Sequence, residues 1–228
     1  MGSAREDLEQ RLERWWPEAL QHRPAEFEGR SQPVLPREVT DLDARSFLKG
    51  LDTSPALLEV RSGYLLCSRM ATHKDGTAKE NFQLIETKGA GTQVRSETIA
   101  HYGALTELIL DHGWPADAVE SEPHGSHGVT KGSVDVIVRR GAHVFLSVEA
   151  KGPQRLLRKL VDGMNRCLGG RNPGHNRSDH NKCLGVLLFR SPYFLGVACG
   201  WVRDLYRVEF REGFVRLIPE LDDSVLDA

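Results

Sequence analysis

Asp135, Glu149 and Lys151 stand at the ends of two adjoining apolar runs, and their types and spacing carry the chemistry expected of this chain. The runs 134–138 and 144–148 are rich in β-branched residues and flank a short polar segment containing Gly141, the pattern of a hairpin. A three-residue loop Gly141-Ala142-His143 makes Arg140 face Val144, and stepping back along both strands sets Asp135 opposite Glu149. Side chains alternate faces along a strand, so Glu149 and Lys151 project together and Ala150 projects away. A loop one residue shorter would reverse the parity and send Asp135 to the other face. Two carboxylates and an ammonium among apolar neighbours are costly to bury without a partner. A hard divalent cation held by both carboxylates, and keeping several waters, would resolve the conflict.

These residues need elements to position them. Upstream, 97–112 reads as a helix closed at Gly113, with Tyr102, Leu105 and Ile109 toward a core. Downstream, Gly152-Pro153 leads into an amphipathic helix. Its apolar face holds Leu156, Leu157, Leu160, Val161, Met164 and Leu168, and its other face holds Arg155, Arg158, Lys159 and Arg166. Such a cationic face beside a metal site suits a phosphate backbone, and equally a plain solvated surface.

Asp135 followed by Glu149-Ala150-Lys151 resembles the PD-(D/E)xK nuclease signature. The helix–strand–strand–helix order around it is similar to the amino-terminal nuclease domain of type I restriction motor subunits, and more loosely to the wider restriction-endonuclease-like superfamily. The resemblance covers roughly residues 97–210. It implies a mixed β-sheet flanked by helices, within an α/β fold that here carries an N-terminal α+β extension. It also implies Mg²⁺, for which Mn²⁺ can substitute, held by Asp135 and Glu149 with the Ala150 carbonyl as a further oxygen. Lys151 would act on the reacting phosphate, and an acidic residue of the upstream helix would support a metal-bound water. Glu97 matches that position best and Glu107 competes with it. Related motor subunits carry a Gln followed by an aromatic residue further along the downstream helix; this chain has Asn165-Arg-Cys there, which leaves the substrate class open.

A second copy of the pattern, Asp75 with Glu86-Thr87-Lys88, ranks below the first. Asp75 sits in the turn signal Lys74-Asp75-Gly76, and no amphipathic helix follows Lys88. The His- and Gly-rich segment 122–132 reads as a loop entering the catalytic strand, where His124, His127 and Lys131 could touch phosphate. The polar loop 169–182, with Arg171 among its two Arg, one Lys and two His, could clasp nucleic acid, and it leads into 183–189, an apolar run that reads as a central parallel strand. Cys167, His175, His180 and Cys183 lack the tight paired spacing of a structural zinc site. The remaining strands are expected at 57–70 as a pair around Ser62-Gly63, and at 81–87, 193–201, 205–210 and 214–218.

At the amino terminus, 4–16 reads as a helix closed by Pro17, with Trp15 and Trp16 as packing anchors. Residues 24–36 read as a surface connection, and 43–50 as a short helix stopped by Gly50. The expected division is an N-terminal α+β extension over 1–92, a nuclease-like core over 93–219 and a loosely packed acidic tail over 220–228. A net charge of −2 excludes a wholesale polycationic binder, so any nucleic-acid contact must come from locally gathered cations. No membrane span or secretory signal is read, and four cysteines without framework spacing suggest reduced thiols in the cytoplasm. The expected function is metal-dependent hydrolysis of phosphodiester bonds in DNA, with RNA left open, in restriction, phage defence or repair. A homodimer or a separate motor or partner chain is compatible. The alternatives are a nuclease-like module that binds nucleic acid or a protein without cutting, and a structural protein whose acidic–basic group is a buried ion pair.

Overall fold

The computed structural model describes residues 2–70, 82–127, 130–166, 182, 185–211 and 214–228, with the main chain alone at 124–127, 130–133, 211 and 214. Strand alternation and helical periodicity combine into a mixed α/β fold. The chain begins with helices α1 (Ala4–His22), α2 (Pro24–Phe27) and α3 (Asp41–Asp52). Short strands β1 (Leu58–Arg61), β2 (Tyr64–Cys67), β3 (Phe82–Gln83), β4 (Ile85–Lys88) and β5 (Gly91–Val94) follow, then α4 (Ser96–Leu110). Next come β6 (Val119–Ser121), β7 (His124–His127), β8 (Thr130–Ser133), β9 (Val136–Arg140), β10 (His143–Pro153) and α5 (Gln154–Arg166). Strands β11 (Tyr193–Cys199), β12 (Val202–Arg211) and β13 (Phe214–Pro219) complete it.

Six strands form the principal sheet in the order β13-β12-β11-β10-β9-β6. Only β10 and β11 pair in parallel; the other neighbours are antiparallel. One face, with Val136, Val138, Leu146, Val148, Ala150 and Val197, packs on α4, and α3 packs behind α4. The opposite face carries Ile137, Val144, Phe194 and Ala198 against Leu157, Leu160 and Met164 of α5.

The hairpin reaches the expected register by an unexpected route. The turn holds two residues, Gly141 and Ala142, so His143 faces Arg140 and Val144 faces Arg139. Gly141 has φ of +60°, as the first position of a II′-type turn requires. That shorter loop would invert the parity of the strand, but a bulge between Val144 and Leu146 adds one residue back. Val144 therefore lies in the α5-facing core and Leu146 in the α4-facing one, although their numbers share a parity. Beyond the bulge Val148 faces Val136, which carries on to set Asp135 beside Glu149.

Other expectations are corrected. Residues 185–189 are helical, and the parallel neighbour of β10 is β11. Short apolar runs do not separate a buried helix from a strand by periodicity, and Val186 is fully buried against the α5 face either way. Residues 124–127 and 130–133, read as part of a loop, are instead the antiparallel pair β7 and β8. Helix α1 runs through Pro17 to His22, and α3 runs through Gly50 to Asp52 behind a Thr40–Asp43 capping box. Residues 24–36 are more than a surface connection: Phe27 is fully buried against Trp16. Leu156 is exposed on α5 rather than part of its apolar face. The carboxyl-terminal segment is docked, with Leu226 buried, the Trp114 indole N–H donating to the Leu226 carbonyl and Ala228 N–H donating to the His112 carbonyl. Among the described residues no helix is long and apolar enough to cross a membrane.

Candidate metal centre

Asp135 occupies the bend just before β9, and Glu149, Ala150 and Lys151 lie in succession on β10. Asp135 N–H donates to the Val148 carbonyl at 3.0 Å and the Asp135 carbonyl accepts from Glu122 N–H at 2.7 Å, so its main chain is clamped from both sides. Its side chain is held as firmly: Oδ2 accepts from Ala150 N–H at 2.7 Å. Both carboxylates are buried, Glu149 fully and Asp135 to 8% exposure.

Lys151 joins the group from the same face of β10 as Glu149. Its Nζ donates to Glu149 Oε1 at 2.8 Å, to Glu97 Oε1 at 2.8 Å and to the Ala150 carbonyl at 2.6 Å. Glu97 reaches Lys151 because α4 starts against the end of β10. A Cβ on Gly152 would lie 2.2 Å from Ser96 Oγ and 3.3 Å from Glu97 N, so the close approach depends on glycine. Of the two acidic residues weighed on α4, Glu97 is the one that lies beside Lys151. Glu107 is buried elsewhere, in a two-pronged ion pair with Arg203 at 2.7 and 2.6 Å.

Lys182 was not singled out by sequence. Its Nζ lies 3.1 Å from Asp135 Oδ1, where it donates a hydrogen bond, and 2.9 Å from Glu149 Oε2. The second approach is off the hydrogen-bonding direction, and Glu149 Oε2 is left buried without a hydrogen bond. Nothing in the local pattern around Lys182 marks it. The one available signal was a lysine at the end of a polar loop, immediately before an apolar run.

Burial alone would raise the Asp135 carboxyl, but the Lys182 ammonium, with His101 and Lys151 behind it, outweighs burial and holds it down at about 2. Burial and the neighbouring Asp135 charge push the Glu149 carboxyl up to about 7. Burial works against the charged form of both lysines, yet the surrounding carboxylates raise each above its usual value. Lys151 and Lys182 are therefore ammoniums at neutral pH.

The residues present fit a hard divalent cation. Asp135 and Glu149 converge on one position, and one buried Glu149 oxygen is met there by the Lys182 charge alone, outside the hydrogen-bonding direction. The Ala150 carbonyl, the further oxygen expected, accepts from Lys151 Nζ at 2.6 Å. Among the described residues no group of three or more His, Cys, Asp or Glu gathers as a metal-binding cluster. Two carboxylates without nitrogen or sulfur donors suit Mg²⁺, which keeps most of its waters.

The other expected contacts fall into three groups. Arg155, Arg158 and Lys159 are exposed along one side of α5, which begins directly after β10. His124, His127 and Lys131 lie on the β7–β8 hairpin that leads into Asp135, where the main chain alone is described. Arg171, and the Cys167, His175, His180 and Cys183 set weighed for zinc, lie outside the described residues. In the second D…ExK copy Asp75 is also outside them; Glu86 pairs with Arg95 at 3.2 Å and Gln93 at 2.7 Å, and Lys88 is exposed. No protein-family model matches this chain, and no curated protein matches it.

Proposed function

We propose that this protein is a metal-dependent nuclease of the PD-(D/E)xK type, with a restriction-endonuclease-like core, that hydrolyses phosphodiester bonds in DNA. The observation that carries the proposal is the convergence of the buried Asp135 and Glu149 carboxylates on one position, with Lys151 two residues along the same strand as Glu149. Asp135, Glu149 and the Ala150 carbonyl are the residues that would hold Mg²⁺ or Mn²⁺. When bound, the ion supplies a Lewis acid for the scissile phosphate and lowers the pKa of a coordinated water.

The chain's own groups do the rest. Lys151 is held as an ammonium by Glu97 and Glu149, so its part is to stabilise negative charge growing on the phosphate oxygens rather than to remove a proton. Glu97 fixes the Lys151 amine at the mouth of the group, where Lys151 is less buried than either metal ligand. Arg155, Arg158 and Lys159 extend from the site along α5 and offer successive cations to a phosphate backbone.

One observation favours a second reading, a structural or regulatory protein whose acidic–basic group is an ordinary buried ion pair. Lys151 and Lys182 together neutralise most of the carboxylate charge, as in a buried ion-pair group. A panel of labelled linear, nicked, branched and single-stranded DNA and RNA, incubated with Mn²⁺ or EDTA, separates the two. The nuclease reading expects cleavage of at least one substrate with Mn²⁺, none in EDTA, and a loss of about a thousandfold or more in Asp135→Asn. Cleavage retained by folded Asp135→Asn would sink it.

A further inference from the structure

Lys182 Nζ lies about equally far from one oxygen of Asp135, at 3.1 Å, and one of Glu149, at 2.9 Å. It fills that position incompletely. An ammonium has three directed N–H bonds; one serves Asp135, whereas the 2.9 Å approach to Glu149 Oε2 is a charge contact off the hydrogen-bonding direction. The charge of Lys182 suits the position and its directionality does not. A divalent cation carries twice the charge and accepts carboxylate oxygens without a directed donor. The local charge count points the same way. Three carboxylates, of Asp135, Glu149 and Glu97, face two ammoniums, of Lys151 and Lys182. Without Lys182 two negative charges are left over, which is what one divalent ion neutralises.

We infer that Lys182 is an internal competitor for the metal: its ammonium and a divalent cation exclude each other between Asp135 and Glu149. This inference rests on the metal reading proposed above. Like charges this close repel strongly in a site shielded from water, so loading the metal requires the Lys182 amine to leave both carboxylates. Lys182 thus keeps the two acids assembled in metal-free protein and raises the metal concentration needed to load it. The apparent affinity is the intrinsic one scaled by the fraction of molecules in which the amine has withdrawn. Lys182 acts here as a positioning residue.

Calorimetric titration of the full chain with MgCl₂ and MnCl₂ tests this without any substrate. Lys182→Met, which keeps the length and removes the charge, should bind either ion at least tenfold more tightly than the parent. It should also melt at lower temperature in EDTA and recover when Mg²⁺ is added. Adding Asp135→Asn to Lys182→Met should abolish the gain. Equal dissociation constants in parent and Lys182→Met would overturn the inference and leave the metal reading intact. If neither protein takes up metal at tens of millimolar, the metal reading falls and the inference falls with it. Should Lys182→Met not fold, the parent alone decides by lysine labelling and mass spectrometry. Saturating MgCl₂ should raise the reactivity of Lys182 several-fold relative to exposed Lys159, and an unchanged ratio with metal bound would exclude competition.

Discussion

The acidic and basic residues around β10 divide into those that strand alternation reveals and those that it hides. Asp135, Glu149 and Lys151 were legible because their placement depends on the parity of two short strands. Glu97 was ranked above Glu107 only through the resemblance, and Lys182 was not legible at all, since both contacts depend on how distant segments pack against the end of β10. This division makes Lys151→Ala and Asp135→Asn a diagnostic pair. Lys151→Ala removes a cation but no metal ligand, so it should still bind Mn²⁺ in calorimetry while losing cleavage. Asp135→Asn removes a ligand charge and should lose both. Parallel behaviour of the two in metal titration would mean that Lys151 helps to build the site rather than to act on the phosphate. A second residue-level prediction concerns His101, buried on α4 with Nε2 at 3.1 Å from Ser121 Oγ and its ring stacked on Tyr102. Burial lowers its pKa to about 4, against the partial opposition of Asp135 and Glu97. Unfolded, the imidazole takes a proton near 6.5. The unfolded state then binds more protons between those values, so the contribution is present above about 6.5 and lost as pH falls toward 4, at up to about 1.4 kcal/mol per pH unit. Urea titrations of parent and His101→Gln across that window should show the variant with the shallower loss. Identical slopes would mean that the imidazole is protonated in the folded protein.

Among the elements, the β9–β10 hairpin shows both what a sequence pattern carries and where it fails. The register at the site was legible, because an apolar face must be buried on each side. The device that achieves it was not, because nothing in Val144-Phe145-Leu146 announces a bulge; Phe145 departs from the alternation to lie beside Trp114 and Tyr193. Residues 185–189 were misread for a related reason, since the short apolar run 183–189 is compatible with a strand or with a short helix. Two elements support quantitative expectations. If α5 follows a phosphate backbone, replacing Arg155, Arg158 and Lys159 together by Ala should weaken DNA binding in EDTA and leave the melting temperature nearly unchanged. It should also flatten the dependence of log affinity on log salt by up to about 2.7, at roughly 0.9 per phosphate contact. An unaltered salt slope would make this face a solvated surface. Gly152→Ala addresses the contact between β10 and α4. The new methyl would press on Ser96 and the Glu97 main chain, at an expected cost of about 1–3 kcal/mol, with Lys151 pushed from Glu97. Ser96→Gly in the same chain should restore much of the loss, and no recovery would place the strain elsewhere.

For the whole molecule, the division at residue 92 expected from Ala90-Gly91-Thr92 meets a core that does not respect it. One hydrophobic cluster joins Leu8, Leu12 and Phe47 of the amino-terminal helices to Ile99, Tyr102 and Leu105 of α4, continues to Val148 and Val197 of the sheet, and ends at Leu226. Polar links cross the same boundary: Asp43, itself buried, accepts from the N–H groups of Gly200 and Trp201 at 2.9 and 3.3 Å. Composition marks loops, and Gly-rich loops are where domains are usually cut. Shared burial is a property of packing that no local pattern displays, which is why the architecture was legible and its unity was not. Helix α4 is therefore covered on one side by the sheet and on the other by α3, and it carries Glu97 to Lys151 between them. A chain beginning at residue 93 would expose the α3-facing side of α4 and leave the Gly200 and Trp201 N–H groups without Asp43. It should lack a cooperative urea transition, bind a hydrophobic dye, and fail to take up Mn²⁺, because nothing then fixes α4 against the end of β10. The intact chain should unfold in a single transition by fluorescence and circular dichroism alike. A 93–228 fragment that unfolds cooperatively and retains the parent's metal affinity would show instead that the amino-terminal helices are an independent unit resting on a self-sufficient core.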